Sequence, residues 1–203
     1  MEYSVFKIKK MRNLKLYYIF FISLNLIFAD AKLSILFSRK YYCLIKNFKY
    51  STEFLRSSFY DTLKIEKDSE ENGEVFTDRI DSKYVTNLDQ FVWKFQTVDR
   101  QNYTFLITNK QNRNRYLCVT NQKLNTKRKL GMLELNNENK MSNNMCLWTV
   151  KDVNRQDRVF TIWNEMHKES IFAAENEKTF KRNLYLDHME ADSTQFFWKI
   201  NCF

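Results

Sequence analysis

Glycine and proline are almost missing from this 203-residue chain, which has two glycines and no proline. Collagen-like sequences and disordered Pro/Gly-rich sequences are therefore excluded. Turns must then be formed by Asn, Asp and Ser, whose side chains bond to their own main chain and tolerate left-handed conformations. Asn is abundant in the candidate turns, so we expect side chains to shape them.

Histidine is also scarce, since only His167 and His188 occur, and no Cys-x-x-Cys or Cys/His spacing typical of zinc ligands is present. The sequence has no nucleophile elbow and no glycine-rich phosphate loop. The acidic pair Glu70-Glu71 lies in a polar stretch and is interpreted as part of a solvated loop. We therefore predict a protein that binds and does not catalyse, with no cofactor and no metal.

No segment beyond the N-terminal region is apolar enough to span a bilayer. The N-terminal apolar run extends from Leu16 to Ala29, follows a basic stretch, and precedes an Ala-x-Ala site that ends at Ala31. These three parts are typical of a secretory signal peptide. We predict a signal peptide over residues 1–31, with Met11 as an alternative start. The other interpretation is an uncleaved anchor, but a spanning helix needs about 20 apolar residues.

The predicted mature part is basic and holds all four cysteines. Residues 1–31 contain five Lys or Arg and two Asp or Glu, so the formal charge falls from +9 to +6 on cleavage. Such a charge suits acidic partners such as sulfated glycans or anionic surfaces. An even number of cysteines in an oxidising compartment predicts two disulfides. Residues 32–41 include several apolar side chains and are expected to pack against the domain that follows.

A three-fold internal repeat is the strongest feature of the sequence. One element is Ile-x-Asn, followed by an apolar pair seven residues after the Asn; a second is Trp-x-apolar, with an apolar residue two positions before each Trp. The period of two around each Trp is typical of a strand. The Ile-x-Asn elements begin at Ile45, Ile107 and Ile162, the pairs are Phe54-Leu55, Tyr116-Leu117 and Ile171-Phe172, and the Trp elements begin at Trp93, Trp148 and Trp198.

Each repeat has one further apolar segment between these elements, so each predicts four short strands. The segments are Val75-Phe76, Leu133-Glu134-Leu135 and Leu184-Tyr185-Leu186. Three units of four strands, at about 42–98, 99–153 and 154–203, predict an all-β domain of the β-trefoil type over 42–203. One unit cannot bury its own apolar face, whereas three closed around an axis can. A two-sheet sandwich is the alternative.

The repeat also predicts roles for individual residues. The Ile, Leu and Trp positions are expected in the core. Asn47, Asn109 and Asn164 are expected to bond to the backbone of the turn that follows each of them, in place of glycine.

The pattern I-x-N…(Y/F)-L…W-x-I resembles the ricin-B-like trefoil superfamily over about residues 42–203, and is also similar to the C-terminal trefoil of the insect 30-kDa lipoprotein family. The resemblance implies a lectin-like or interaction role. Ricin-type lectin repeats carry Gln two residues before the Trp, where this chain has Phe91, Cys146 and Phe196. Gln90 and Gln195 are one position further away and would face the opposite side of the strand.

The repeat gives the cysteines positions in the fold. In a closed barrel the first strand lies antiparallel to the last, which places Cys43 opposite Cys202, and we predict a disulfide there. Cys118 and Cys146 are left as the second pair, within unit two. The alternative for Cys146 is a buried free thiol, because both other units have Phe at its position.

The loop between the second and third strands differs in charge among the units. It is acidic in unit one (68–74), basic in unit two and mixed in unit three. Either the loops attract one another or are simply solvated, or the basic loop binds sulfate or another polyanion in a salt-sensitive way. The candidate ligand-binding residues are Arg113, Arg115, Lys123, Lys127, Arg128 and Lys129. Asn102-Tyr103-Thr104 is an N-glycosylation sequon, with Asn102 as the predicted acceptor.

Three functions fit these observations. The first is a secreted, extracellular lectin-like module that recognises a glycan, with an acidic glycan favoured by the basic loop. The second is a protein-binding trefoil that acts as an inhibitor or receptor ligand, which fits the missing lectin Gln and the unequal loops. The third is a carrier or storage protein of the insect lipoprotein kind. The expected partner is an extracellular glycan or protein, with no specific nucleic acid, no membrane span and a monomeric state.

Overall fold

The computed structural model describes residues 42–58, 73–81, 85, 87–99, 101–136, 143–154, 157–175, 182–189 and 193–203. The predicted signal peptide, the lead-in 32–41 and residues 68–72 of the acidic loop lie outside them. The described strands are β1 (Tyr42–Asn47), β2 (Glu53–Ser58), β3 (Gly73–Arg79), β4 (Val92–Asp99), β5 (Thr104–Asn109), β6 (Arg115–Leu124), β7 (Lys127–Glu134), β8 (Trp148–Asn154), β9 (Val159–Asn164), β10 (Glu169–Ala173), β11 (Arg182–Asp187) and β12 (Trp198–Cys202). Short 3-10 turns precede β4, β8 and β12, at Leu88–Phe91, Asn144–Cys146 and Thr194–Phe196.

Six strands form a closed antiparallel barrel. β1 pairs with β4, β4 with β5, β5 with β8, β8 with β9, β9 with β12, and β12 with β1 again. The other six form the hairpins β2–β3, β6–β7 and β10–β11. Their second strands pair in a triangle of β3, β7 and β11. This is a β-trefoil, so the predicted fold is confirmed and the sandwich is wrong.

Three equivalent tryptophans form the centre of the core. Trp93, Trp148 and Trp198 are fully buried. Each indole N–H donates to a carbonyl on the second strand of its unit, because a buried indole needs a partner. The acceptors are Leu55 O at 2.9 Å, Leu117 O at 2.7 Å and Ile171 O at 3.1 Å.

The three repeat asparagines each join two turns. All are fully buried. Each side-chain oxygen accepts a backbone N–H of the following turn, as predicted; the donors are Tyr50, Gln111 and His167. Each amide nitrogen also donates to a carbonyl of the 3-10 turn before the Trp and to the carbonyl of the residue after that turn, for example from Asn109 to Gln90 O at 2.8 Å and Val92 O at 3.2 Å. The sequence did not predict this second role.

The predicted register of the repeat is wrong by one residue in unit three. The residue before each repeat Asn pairs with the second strand, and its partners are Phe54, Tyr116 and Ser170. Ile171 therefore takes the position of Leu117, and it is fully buried, whereas Phe172 is half-buried. The turn after Asn164 is one residue shorter than its counterparts, which causes the shift.

Both predicted disulfides are present. Cys43 and Cys202 are directly opposed across β1 and β12, with Cα atoms 3.9 Å apart. Cys118 on β6 is bonded to Cys146 in the 3-10 turn before β8, with Cα atoms 4.1 Å apart. The free-thiol alternative for Cys146 is therefore wrong.

Candidate functional site

The position at which ricin-type lectin repeats carry glutamine is filled by internal contacts in each unit. In unit one, Phe91 lies under the guanidinium of Arg56, 5.5 Å from its ring centroid. In unit two, Cys146 forms the disulfide with Cys118. In unit three, Phe196 packs on Phe172 with ring centroids 5.0 Å apart. We call this place in each unit the filler position. It includes the residue two before the Trp and the residue that contacts it, which follows the buried residue of the second strand (Arg56, Cys118 and Phe172).

The filler position of unit one holds a buried ionic cluster. Arg56 Nη1 lies 2.6 Å from Asp78 Oδ2, and Arg56 Nε donates to Gln90 Oε1 at 2.9 Å. All three residues are buried. Gln90 and Gln195 lie in 3-10 turns and not on the strand where they were predicted, and both form hydrogen bonds within the protein. The lectin-type position is thus occupied by the protein's own side chains.

The basic residues at the tip of the β6–β7 hairpin interact with unit three. Lys127 Nζ lies 2.8 Å from Asp187 Oδ2 and 4.3 Å from the Phe172 ring centroid. Arg128 Nε lies 3.4 Å from Glu169 Oε2. The structure thus supports attraction between units as one role of this loop. The carboxylates that it contacts belong to unit three and not to the acidic loop of unit one. Within the described residues, Lys123 and Lys129 form no ion pair, and both are exposed.

His167 lies beside this hairpin tip. Burial lowers the pKa of its imidazole, and the charges of Arg128 and Lys123 lower it further, while Glu169 opposes the shift. The surroundings of His167 therefore favour the neutral form of the imidazole beside the tip.

The sequence predicted that Arg113 and Arg115 lie near the basic hairpin tip. In the structure they lie far from it. Arg115 begins β6 and pairs with Glu134, whereas Lys123 lies near the other end of that strand. Eight residues of extended strand correspond to about 26 Å. The six predicted ligand-binding residues therefore form two groups, and Arg113 belongs to a different surface.

That surface is a cleft of about 540 Å³ on the side of the barrel. Its walls come from β1, β4, β5, the turn after β5, the start of β6 and the end of β7. The lining residues are Tyr42, Lys94, Gln96, Thr108, Asn109, Lys110, Arg113, Asn114, Tyr116, Glu134, Leu135 and Asn136.

The cleft combines positive charge with many hydrogen-bonding groups. Lys94, Thr108 and Tyr116 form a row across β4, β5 and β6, because they are direct cross-strand partners. Lys110 Nζ lies 2.9 Å from Asp89 Oδ1 and 5.6 Å from the Tyr42 ring centroid. Lys94 and Arg113 form no ion pair with any residue that the structure describes. The lining can thus bind an anionic group and several hydroxyls.

Sequence reasoning found Arg113 but missed the rest of this cleft. A usable signal was the strand alternation: Trp93 and Phe95 point inward, so Lys94 and Gln96 must point outward. What the sequence did not show is that β1 and β7 bring Tyr42 and Glu134 to the same place.

The sequon residue Asn102 lies in the exposed turn between β4 and β5. Its amide nitrogen donates to Asp99 Oδ2 at 2.6 Å. Hydrogen bonds from Asn102 and from the Gln101 backbone lower the pKa of the Asp99 carboxyl. Glycosylation of Asn102 stays a prediction.

The described residues include neither a metal-binding cluster nor a membrane-spanning helix. No group of three or more His, Cys, Asp or Glu there is placed to hold a metal ion. No helix in that part of the chain is long and apolar enough to cross a membrane.

No protein-family model matches the chain, and no curated protein matches it in sequence. Among solved structures, a mosquitocidal holotoxin gives a TM-score of 0.59 at 15% identity, over 80% of this chain and 17% of the toxin. The lectin of Polyporus squamosus, solved with a human-type influenza-binding epitope, gives 0.57 at 11% identity, over 79% of this chain and 48% of the lectin.

A salivary protein of Culex quinquefasciatus, from the Cysteine and Tryptophan-Rich family, gives a TM-score of 0.53 at 15% identity, over 80% of this chain and 93% of that protein. The chain thus spans a small part of the toxin and about half of the lectin. At these identities the likeness concerns the fold, which is a β-trefoil.

Proposed function

We propose that this protein is a secreted, non-enzymatic, lectin-like trefoil that binds an acidic glycan in the cleft of unit two. The observation that carries the proposal is the lining of the cleft, in which three cations, four side-chain amides and two phenols, with the single carboxylate of Glu134, surround one concave space. Concave sites with a few convergent polar groups are the usual form of a small-ligand site.

Each part of the lining suits one part of an acidic sugar. Lys94 and Arg113 can pair with a carboxylate or sulfate, and Arg can do so with two parallel hydrogen bonds. Gln96, Asn114 and the Thr108 hydroxyl supply donors and acceptors for ring hydroxyls. Tyr42 offers part of an aromatic face. A lectin of the same fold was solved with Neu5Aca2-6Galb1-4GlcNAc, which supports glycan binding as a use of this scaffold.

Secretion is proposed on separate grounds. Residues 1–31 have the three parts of a signal peptide, and two disulfides are typical of an oxidising compartment. A salivary protein shares the fold. We propose a mature chain that starts after Ala31 and acts as a monomer outside the cell.

The test is binding of acidic and neutral glycans to the purified protein, first on an array and then by calorimetry. Lys94→Gln and Arg113→Gln should each weaken binding of the selected acidic glycan about tenfold, the equivalent of one charge-assisted hydrogen bond. Lys123→Gln, which removes the same charge at the hairpin tip, should leave the affinity unchanged.

Glycan binding that survives both cleft substitutions and is lost in Lys123→Gln or Lys129→Gln would move the site to the hairpin. A protein that binds no glycan on the array, but retains one extracellular protein in a pull-down, would replace the proposal with the protein-binding alternative.

A further inference from the structure

We infer that the cleft is one end of an extended cationic strip along β1, and that the ligand is a linear polyanionic glycan chain several sugars long. This inference rests on the proposed function of the cleft. The strip consists of Lys94 and Tyr42 at the cleft, followed by Leu44, Lys46 and Lys199, and it ends at Phe48.

The alternation of β1 sets the direction of the strip. Tyr42, Leu44 and Lys46 are half-buried on the outer face, while the residues between them are buried in the core. Tyr42 lines the cleft. Lys46 lies four residues further along the strand, or about 13 Å away. A single sugar in the cleft cannot contact Lys46, but a chain laid along β1 can.

Neighbouring strands widen the strip with polar and basic side chains. Across β4, Lys94 pairs with Tyr42. Across β12, Asn201 pairs with Leu44 and Lys199 pairs with Lys46. The outer face from the cleft to Lys199 is therefore continuous, since each step joins either direct cross-strand partners or successive outward residues of β1.

Lys46 and Lys199 form a like-charge pair directly opposite each other on two strands. Such pairs destabilise a sheet. No acidic residue in the described part of the chain forms an ion pair with either lysine. Each is held instead over an aromatic ring, Lys46 at 5.7 Å from the Phe54 centroid and Lys199 at 5.4 Å from the Phe48 centroid. An anionic ligand that lies between the two lysines would remove the repulsion.

The shape of the strip favours a flexible chain over a flat or stacking partner. Lys94 is half-buried in the cleft, where a planar bilayer cannot reach it. Phe48 contacts Phe197 edge-on at 6.5 Å, and Lys199 lies over one face of its ring, so the exposed part of this single ring is a poor platform for successive nucleobases. Sulfate or carboxylate groups spaced along a sugar chain can meet each cation in turn.

The experiment measures affinity against ligand length. Heparin-derived oligosaccharides from disaccharide to octasaccharide are titrated into the full chain by calorimetry at physiological salt, where charges beyond about 8 Å are screened. Affinity should rise with length until the strip is filled. The double variant Lys46→Gln/Lys199→Gln should weaken octasaccharide binding about fivefold to tenfold, as expected for two exposed ion pairs, and leave disaccharide binding unchanged.

Two controls keep the result specific. Lys123→Gln/Lys129→Gln removes the same charge from the hairpin tip and should bind every oligosaccharide like the unmodified protein. Thermal unfolding of Lys46→Gln/Lys199→Gln without ligand should occur at the same temperature or higher, because the substitutions remove a repulsion. A lower unfolding temperature would contradict the like-charge argument.

Equal affinities for disaccharide and octasaccharide, or equal losses in the two double variants, would overturn the strip and leave the cleft proposal intact. The cleft fails separately if Lys94→Gln binds the disaccharide as well as the unmodified protein does. Tighter binding to phosphatidylserine vesicles or to single-stranded DNA than to the octasaccharide would overturn the choice of ligand.

Discussion

Arg56 places a positive charge inside unit one, where only 6% of the residue is exposed. Its guanidinium is paired with Asp78, hydrogen-bonded to Gln90 and flanked by the rings of Phe76 and Phe91. Removing two charges from water costs free energy, which a buried pair recovers only when its hydrogen bonds are complete. The ion pair, the hydrogen bond and the two rings together explain how a charge is accommodated at the position that Cys118 and Phe172 occupy in the other units.

We expect Arg56→Ala to lower the free energy of unfolding by about 3–5 kcal/mol, because Asp78 is left buried and unpaired. Urea denaturation followed by tryptophan fluorescence measures the loss. Arg79→Ala is the matched control, since Arg79 pairs with Asp81 at the surface, where ion pairs contribute little.

The double variant Arg56→Met/Asp78→Leu separates charge from packing. It should recover most of the lost stability, because an apolar pair of similar size needs no partner. A double variant as unstable as Arg56→Ala would show that the shape of Arg56, and not the unpaired carboxylate, dominates.

At the residue scale, the sequence predicted the repeated core residues of each unit but not the side chains at its filler position. Trp93 and Asn109 stand at fixed spacings, so their burial follows from the repeat. Arg56 and Cys118 each lie nine residues after their repeat Asn, so the repeat makes their positions equivalent, but it does not predict their unrelated side chains or the contacts that they form. What each residue contacts depends on the side chain that approaches it from the 3-10 turn. That is a tertiary contact, which the spacing of the repeat does not show.

At the scale of the element, the repeat asparagines hold the 3-10 turns against the strands. Asn109 donates to Gln90 O in the turn before Trp93 and to Val92 O just after that turn, and it accepts one N–H from the turn that follows Asn109 itself. We expect Asn109→Ala to lower the free energy of unfolding by about 2–4 kcal/mol, because several buried polar groups lose partners at once. Hydrogen exchange at residues 88–92 should increase as well.

Asn109→Asp refines this test, since it keeps the accepting oxygen and removes the two donated bonds. It should be nearly as unstable as Asn109→Ala. Asn201→Ala, at an exposed strand position, should be neutral. If Asn109→Asp were as stable as the unmodified protein, donation to the 3-10 turn would not be what holds it.

The strands could be predicted from the sequence because apolar and polar residues alternate along them, even though glycine and proline do not mark the turns. The register of unit three could not be predicted. Ile171 and Phe172 are both apolar, so the predicted pair fits either of two registers, and only the shorter turn after Asn164 decides between them.

At the scale of the whole molecule, the Cys43–Cys202 bond closes a loop of sequence separation 159, compared with 28 for Cys118–Cys146. In the chain-entropy model these loops correspond to about 5 and about 3.6 kcal/mol of stabilisation. Cys43→Ala/Cys202→Ala should therefore be less stable than Cys118→Ala/Cys146→Ala in urea denaturation. The reverse order would show that packing around the bonds outweighs loop closure.

Closure of the barrel could be inferred from the repeat, and with it the opposition of Cys43 and Cys202. The cleft could not, because Tyr42, Lys94, Arg113 and Glu134 come from four elements that meet only after closure. Strand alternation tells which residues point outward, but not which outward residues share a concavity.

The filler position also determines which units a reductant can affect. At this position unit one is stabilised by the Arg56–Asp78 ion pair, unit two by the Cys118–Cys146 disulfide and unit three by the contact between the Phe172 and Phe196 rings. A reductant that opens the Cys118–Cys146 bond finds nothing to attack at the equivalent place in the other two units. The three units thus share one fold, but a chemical change that breaks the contact at the filler position of one unit leaves the corresponding contacts of the other two unchanged.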